Sequence, residues 1–186
     1  MKEPIAEENP LAPKVLFMRV VNGLFFYGGW LICMWAATRG WNELAVGSTA
    51  LIVGIHCFFS PQIKKDLWLL CLICLAGTAL DSFYQAIGLL SYACPNQTLC
   101  WLAPSWITSI YALLAINLDH SLGWLRHYTL LAALCGAGGA AATYLAGERT
   151  GVVQFHSGWT VPIITLIWLF FFPGLYLVSD RMDDRN

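Results

Sequence analysis

The sequence predicts an all-α protein: a polytopic transmembrane helical bundle of about six spans, with both termini in the cytoplasm. Composition supports this first, because 58% of the 186 residues are hydrophobic and 11% are charged, whereas soluble domains carry about 25% charged residues. The charges also lie almost entirely between long apolar stretches. Finally, Lys and Arg are divided unequally between alternate loops. A polar shell for a water-soluble core is therefore not present in this chain.

Six apolar stretches account for the predicted helices, since a bilayer core of about 30 Å needs about 20 helical residues. They cover residues 16–38, 44–60, 67–90, 104–118, 129–146 and 159–178. The second is short enough to be the least secure span, and the fourth can extend over 101–122. We predict one transmembrane domain over 15–179, a flexible cytoplasmic tail over 1–14, and a cytoplasmic tail over 180–186.

The positions of Lys and Arg predict the orientation, because basic residues are retained on the cytoplasmic side. Counting alternate loops gives eight basic residues on one side and two on the other. The eight are Lys2, Lys14, Arg19, Lys64, Lys65, Arg126, Arg181 and Arg185, and the two are Arg39 and Arg149. We therefore expect both termini to lie in the cytoplasm.

The cysteines do not indicate a metal centre. Cys71 and Cys74 lie one helical turn apart, but no second pair completes a set of four ligands. Cys94 and Cys100 bound a short loop on the predicted outer side, and their spacing fits a disulfide and a pair of free thiols about equally. We predict no metal and no cofactor.

Polar residues inside the apolar stretches are the candidate functional residues, because they are costly in hydrocarbon. One group lies within about 8 Å of the predicted cytoplasmic helix ends. Asp81 lies deeper, about 21 Å into the third helix, and Gln85 follows one turn later on the same face. We predict a polar pocket formed by Asn22, His56, Asp81, Gln85, Asn117, Asp119 and His120.

Each candidate also has a structural explanation. Asp81 could accept a proton, bind an ion or anchor a head group, or it could be a neutral carboxyl bonded to Gln85, Tyr84 or a Ser of the fourth helix. Asp119 and His120 could belong to the pocket, or they could mark a helix end solvated by head groups and water. The sequence leaves both alternatives open.

Small residues occupy the fifth stretch at CGAGGAAAT, residues 135–143. Their lack of bulk predicts close approach of a neighbouring helix. The glycine spacing also fits a dinucleotide-binding fingerprint, but no strand precedes it and no βαβ unit surrounds it. We interpret the run as a packing surface, with Tyr144 following it near the predicted outer boundary.

Several of these features resemble a bacterial inner-membrane family known only as a domain of unknown function. They are Asn22, Asp81, the segment 104–124 that contains NLDHSLGWL, and YLAGERTGVV at 144–153. The resemblance covers about residues 20–178, and the block from the fourth to the fifth helix is its most specific part. Where the family has Gly-Pro before the Tyr, this chain has Ala140, Ala141 and Ala142, so the local bend is expected to differ. The resemblance implies a small multi-span inner-membrane protein in a lipid context, since members accompany fatty-acid-modifying proteins.

Three functions fit these observations. The first, which we favour, is a lipid-handling or accessory protein that holds an acyl chain in its apolar body with the head group near His120. The second is a membrane enzyme that uses His120 or His56 with Asp119 or Asp81 as an acid–base pair. The third is a small proton- or ion-coupled transporter that uses Asp81. Membrane lipids are the expected partners, together with other membrane proteins or a second copy, and no nucleic acid is expected.

Overall fold

The computed structural model describes the backbone of residues 13–93 and 101–183, and the side chains of residues 20–93 and 101–182. The predicted loop with Cys94 and Cys100 lies outside the described residues. The helices are α1 (Pro13–Thr38), α2 (Asn42–Phe59), α3 (Ile63–Ala86), α4 (Ser105–Leu118), α5 (Thr129–Arg149) and α6 (Thr160–Asp183), with a 3₁₀ turn at Gly123–His127. Two short strands, β1 (Leu90–Tyr92) and β2 (Val153–Phe155), complete the fold. The predicted all-α class is confirmed.

Five of the six described helices are long and apolar enough to cross a membrane. The exception is α4, whose 14 residues extend about 21 Å at 1.5 Å per residue. Eleven of these residues are buried, so α4 is surrounded by protein. The short helix is therefore the fourth, whereas α2, which seemed the less secure span, has 18 residues and meets the length requirement.

The helices pack as two groups. Helix α4 contacts α1, α2 and α3, and α5 packs along α6. The strands connect these groups, because β1 follows α3, β2 follows α5, and the two pair antiparallel with Tyr92 opposite Val153. Gly88 and Gly151 adopt φ values of 69° and 78° and end the preceding helices before each strand. We call this end of the bundle the sheet end, and the opposite end, where α2 leads into α3, the base.

The small residues of α5 allow α6 to approach closely, as the sequence predicted. A Cβ added at Gly136 would lie 2.3 Å from the Cβ of Phe172. The next glycine on the helix, Gly138, has no neighbouring atom within 4 Å of its Cβ position. Gly136 therefore fixes the distance between the two helices.

We expect Gly136→Ala to be less stable than Gly138→Ala by about 1–3 kcal/mol, because the added methyl overpacks a tight contact. Both changes gain the same helix propensity, so their difference isolates the contact with Phe172. Thermal unfolding of the two purified variants in one detergent measures it. Equal melting temperatures would contradict the close packing.

Candidate functional site

Asp81 is enclosed by three tyrosines near the sheet end, and we call these four residues the tyrosine cage. The Asp81 side chain is only 1% exposed. Tyr111 donates to its Oδ2 at 2.6 Å and Tyr144 donates to its Oδ1 at 2.6 Å. Tyr92 also donates to Oδ1. An ionised carboxylate only accepts hydrogen bonds, so three phenols satisfy it within the bundle.

Each tyrosine reaches Asp81 from a different element. Tyr111 of α4 passes over Gly77 of α3, where an added Cβ would lie 2.2 Å from the ring. Tyr92 belongs to β1 and is held by the pairing with β2. Tyr144 lies on α5 in the group that contains α6. The cage therefore joins both helix groups and the sheet through one carboxylate.

An apolar cavity of about 530 Å³ adjoins the cage. Its walls come from α1, α4, α5, α6 and the 3₁₀ turn, and Asp81 with its three tyrosines forms part of its lining. Trp30 and Trp168 also line it, and their buried indole N–H groups have no acceptor within the described part of the chain. The volume falls within the range of about 300–1,000 Å³ that is typical of small-molecule sites.

A second polar group lies at the base, and we call it the His–Asp–His cluster. His56 Nε2 lies 3.1 Å from Oδ2 of Asp66, and His120 Nε2 lies 3.3 Å from the same oxygen. Ser60 donates to this oxygen as well. The two imidazole rings meet edge to face with centroids 4.6 Å apart. Three potential metal ligands, or an acid–base group with two imidazoles, therefore converge here.

The chain brings these three residues together through two helix junctions. His56 lies in the last turn of α2 and Asp66 in the first turn of α3, with only three residues between the helices. His120 follows the end of α4, where its backbone N–H bonds to Asn117 O. The cluster is thus built from helix ends rather than from helix faces.

Asp119 is the centre of a neighbouring ion-pair network. Its carboxylate lies 2.7 Å from Lys65 Nζ and 2.5 Å from Arg126 Nη2. Ser179 of α6 donates to it at 2.7 Å, and Arg126 also pairs with Asp180 at 3.1 Å. The network connects α3, the segment after α4, and α6 at the base.

The seven predicted site residues do not meet in one pocket. His56 and His120 lie together in the His–Asp–His cluster, and Asp119 lies in the adjacent network. Asp81 belongs to the tyrosine cage, 15 residues beyond Asp66 on α3, which corresponds to about 22 Å along the helix. Asp81 and the two histidines therefore lie towards opposite ends of the bundle.

The remaining three predicted residues have local roles. Asn117 donates to Leu113 O at 2.9 Å within α4 and accepts from Ser121. Gln85 accepts from the backbone N–H of Tyr92 at 3.4 Å, so it braces β1. Asn22 is half-buried on α1, and within the side chains that the structure describes no hydrogen bond joins it to the tyrosine cage or to the His–Asp–His cluster.

The partners of Asp81 differ from those that the structural alternative named. Gln85 and Tyr84 were two of the partners considered, but Gln85 faces the strand and the hydroxyl of Tyr84 is buried without a partner among the described residues. Asp66 and Tyr111 were not singled out from the sequence, and Tyr144 was placed at the outer boundary without a link to Asp81. The one available signal was that Tyr144 lies in the YLAGERTGVV block.

Five apolar helices of membrane length, together with a short buried helix, define an all-α, multi-pass membrane protein. The chain belongs to the family described as "Protein of unknown function (DUF2878)", which matches residues 19–174. This match confirms the resemblance to a domain of unknown function. No curated protein and no protein of solved structure matches the chain significantly.

Removing the carboxylate of Asp119 should destabilise the base. We expect Asp119→Ala to lower the free energy of unfolding by about 3–5 kcal/mol, because it breaks buried ion pairs. Asp180→Ala is the matched control, since this carboxylate pairs with the same Arg126 but is 46% exposed, and its loss should cost less than about 1 kcal/mol. Thermal or denaturant unfolding in detergent measures both.

A double-mutant cycle makes this test specific. The double variant Lys65→Met, Asp119→Ala should lose about 0.5–3 kcal/mol less unfolding free energy than the two single variants lose together, because the two residues interact directly. Strictly additive effects, or equal losses for Asp119→Ala and Asp180→Ala, would contradict a buried ion-pair network.

Proposed function

We propose that this protein binds an amphiphilic lipid, with its acyl chain in the cavity and its head group at the tyrosine cage. In this role it would serve as a lipid-handling or accessory protein for membrane lipid modification. The observation that carries the proposal is an apolar cavity of about 530 Å³ that ends in hydrogen-bonding groups. Apolar walls with a few convergent polar groups are typical of ligand sites.

The length of the cavity supports an acyl chain. On α5 its lining extends from Cys135 to Gly147, which is about 18 Å along the helix axis. A bilayer core of about 30 Å gives each leaflet about 15 Å of hydrocarbon. One extended chain from a single leaflet therefore fits the cavity.

The polar groups of the cavity support an uncharged head group with acceptor oxygens. Trp30 and Trp168 offer indole N–H donors that lack acceptors among the described residues. Asp81 adds a buried carboxyl, which would repel an anionic head group. A neutral acyl ester meets both conditions. His120 does not line this cavity, so we now place the head group at the cage.

We further propose that the protein lies in a bacterial inner membrane with the base and both termini on the cytoplasmic side. The described basic residues support this, because Lys64, Lys65, Arg126 and Arg181 lie towards the base. By contrast, Arg39 directly follows α1 and Arg149 ends α5, both at the sheet end. Arg39 rests against Trp35 at 5.6 Å, an arrangement suited to a membrane interface. The head group would then face the outer leaflet.

This orientation predicts that reporters fused at the C-terminus and in the loop at Gly158 behave oppositely. Green fluorescent protein at the C-terminus should fluoresce, and alkaline phosphatase inserted at exposed Gly158 should be active, because the first reporter works in the cytoplasm and the second outside it. The reciprocal fusions serve as controls. The reverse pattern would contradict the proposed orientation.

Filling the cavity should block lipid binding. Gly139 lines the cavity and Gly138 does not, although neither has an atom within 4 Å of its Cβ position. We expect Gly139→Phe to weaken binding of a brominated monoacylglycerol about tenfold or more, since losing 1.4 kcal/mol of apolar contact already costs a factor of ten. Quenching of tryptophan fluorescence measures it, and Gly138→Phe should bind like the wild type.

The carboxyl group of Asp81 provides a second readout. Asp81→Asn should improve binding of a brominated fatty acid relative to the monoacylglycerol, because it removes the carboxylate that opposes an anionic head group. The proposal is overturned if the two glycine variants bind the monoacylglycerol equally. It is also overturned if neither probe quenches the tryptophan fluorescence of the wild type.

A further inference from the structure

We propose that His56, Asp66 and His120 form a binding site for a divalent transition-metal ion at the base of the bundle. The site is separate from the lipid cavity, whose lining includes none of these three residues. Their candidate ligand atoms all lie within 4.8 Å of one another. His56 lies near the end of α2, Asp66 near the start of α3 and His120 just after α4, so three separate segments supply the ligands.

The distances between ligand atoms suit a small metal ion. Oδ2 of Asp66 lies 3.1 Å from Nε2 of His56 and 3.3 Å from Nε2 of His120. Two ligands bound to zinc at 2.0–2.1 Å in tetrahedral geometry are separated by about 3.3 Å. Small rotations of the imidazoles, which draw the two nitrogens together, would complete the coordination.

The types of ligand indicate the class of metal. Imidazole nitrogen suits zinc, iron, cobalt and nickel, whereas calcium and magnesium prefer sites made of oxygen atoms. Two His and one carboxylate bind zinc in hydrolytic enzymes and iron(II) in oxygenases. Three protein ligands leave at least one coordination position open, which is typical of catalytic rather than structural zinc sites.

The surroundings orient the ligands. Ser60 donates to Asp66 and thus holds its carboxylate from the side of the α2–α3 connection. Outer hydrogen bonds of this kind commonly fix metal ligands. Asp66 and His120 also directly follow Lys65 and Asp119, whose side chains pair at 2.7 Å. One ion pair therefore fixes the backbone beside two of the three ligands.

The three ligands are unequally exposed, which leaves the site a route of access. The side chains of Asp66 and His56 are 3% and 8% exposed, and that of His120 is 19% exposed. An ion could therefore enter past His120 and would be shielded by the other two ligands once bound. With neutral imidazoles the three ligands carry one negative charge, which favours a divalent cation.

Metal binding to the untagged full-length protein in detergent tests the proposal. We expect one zinc ion per chain after loading and desalting, measured by elemental analysis. Titration with Co²⁺ should produce the visible absorption of a low-symmetry nitrogen- and oxygen-ligated ion. His56→Ala and Asp66→Asn should each weaken Co²⁺ binding at least tenfold. His127→Ala, which removes an exposed histidine near the same end, should bind like the wild type.

A stability measurement separates loss of metal from loss of fold. Zinc should raise the melting temperature of the wild type and of His127→Ala, because a ligand that binds only the folded state stabilises it. Zinc should leave the melting temperature of His56→Ala unchanged, even if this variant melts at a lower temperature than the wild type without metal. The proposal is overturned if the wild type and the His56→Ala, His120→Ala double variant retain equal zinc, or if zinc shifts both melting temperatures equally. These results do not depend on whether the cavity binds lipid.

Discussion

Hydrogen-bond satisfaction of buried polar groups is the constraint on which this structure depends. The hydrocarbon core contains no water to form hydrogen bonds with a carboxylate or an imidazole, so each of these groups must find partners inside the protein. Asp81 meets this requirement with three phenols from α4, α5 and β1. Because those elements belong to different parts of the fold, satisfying one carboxylate also holds the two helix groups together.

The same constraint organises the base in a different way. Two pairs of adjacent residues, Lys65 with Asp66 and Asp119 with His120, direct their side chains to two separate clusters. Successive residues on a helix point about 100° apart, so a short polar segment can serve both clusters at once. This arrangement explains why NLDHSLGWL, which looked like a helix leaving the bilayer, contributes to both a buried ion pair and a candidate metal site.

The fold was largely predictable from sequence, whereas the site was predictable only in part. Apolar length located all six helices, because the bilayer sets that length. The cost of polar groups in hydrocarbon drew attention to Asp81, His56 and His120, which the structure places in buried polar clusters. It could not reveal that Asp66 joins the two histidines, because residues 54 positions apart meet only through tertiary packing. The strands were missed for a similar reason, since three residues carry almost no periodicity.

The short α4 is compatible with a bilayer because the segments on either side of it are partly buried in protein. A helix of about 21 Å leaves part of a 30 Å bilayer core to the segments that flank it, and irregular backbone is tolerated at that depth only where protein surrounds it. Ala103 and Pro104 before α4 are buried, and so is Leu125 after it. Tyr111 and His120, one within α4 and one just beyond it, then reach Asp81 and Asp66 on the adjacent α3. The paired α3 and α4 thus contribute to both the tyrosine cage and the His–Asp–His cluster.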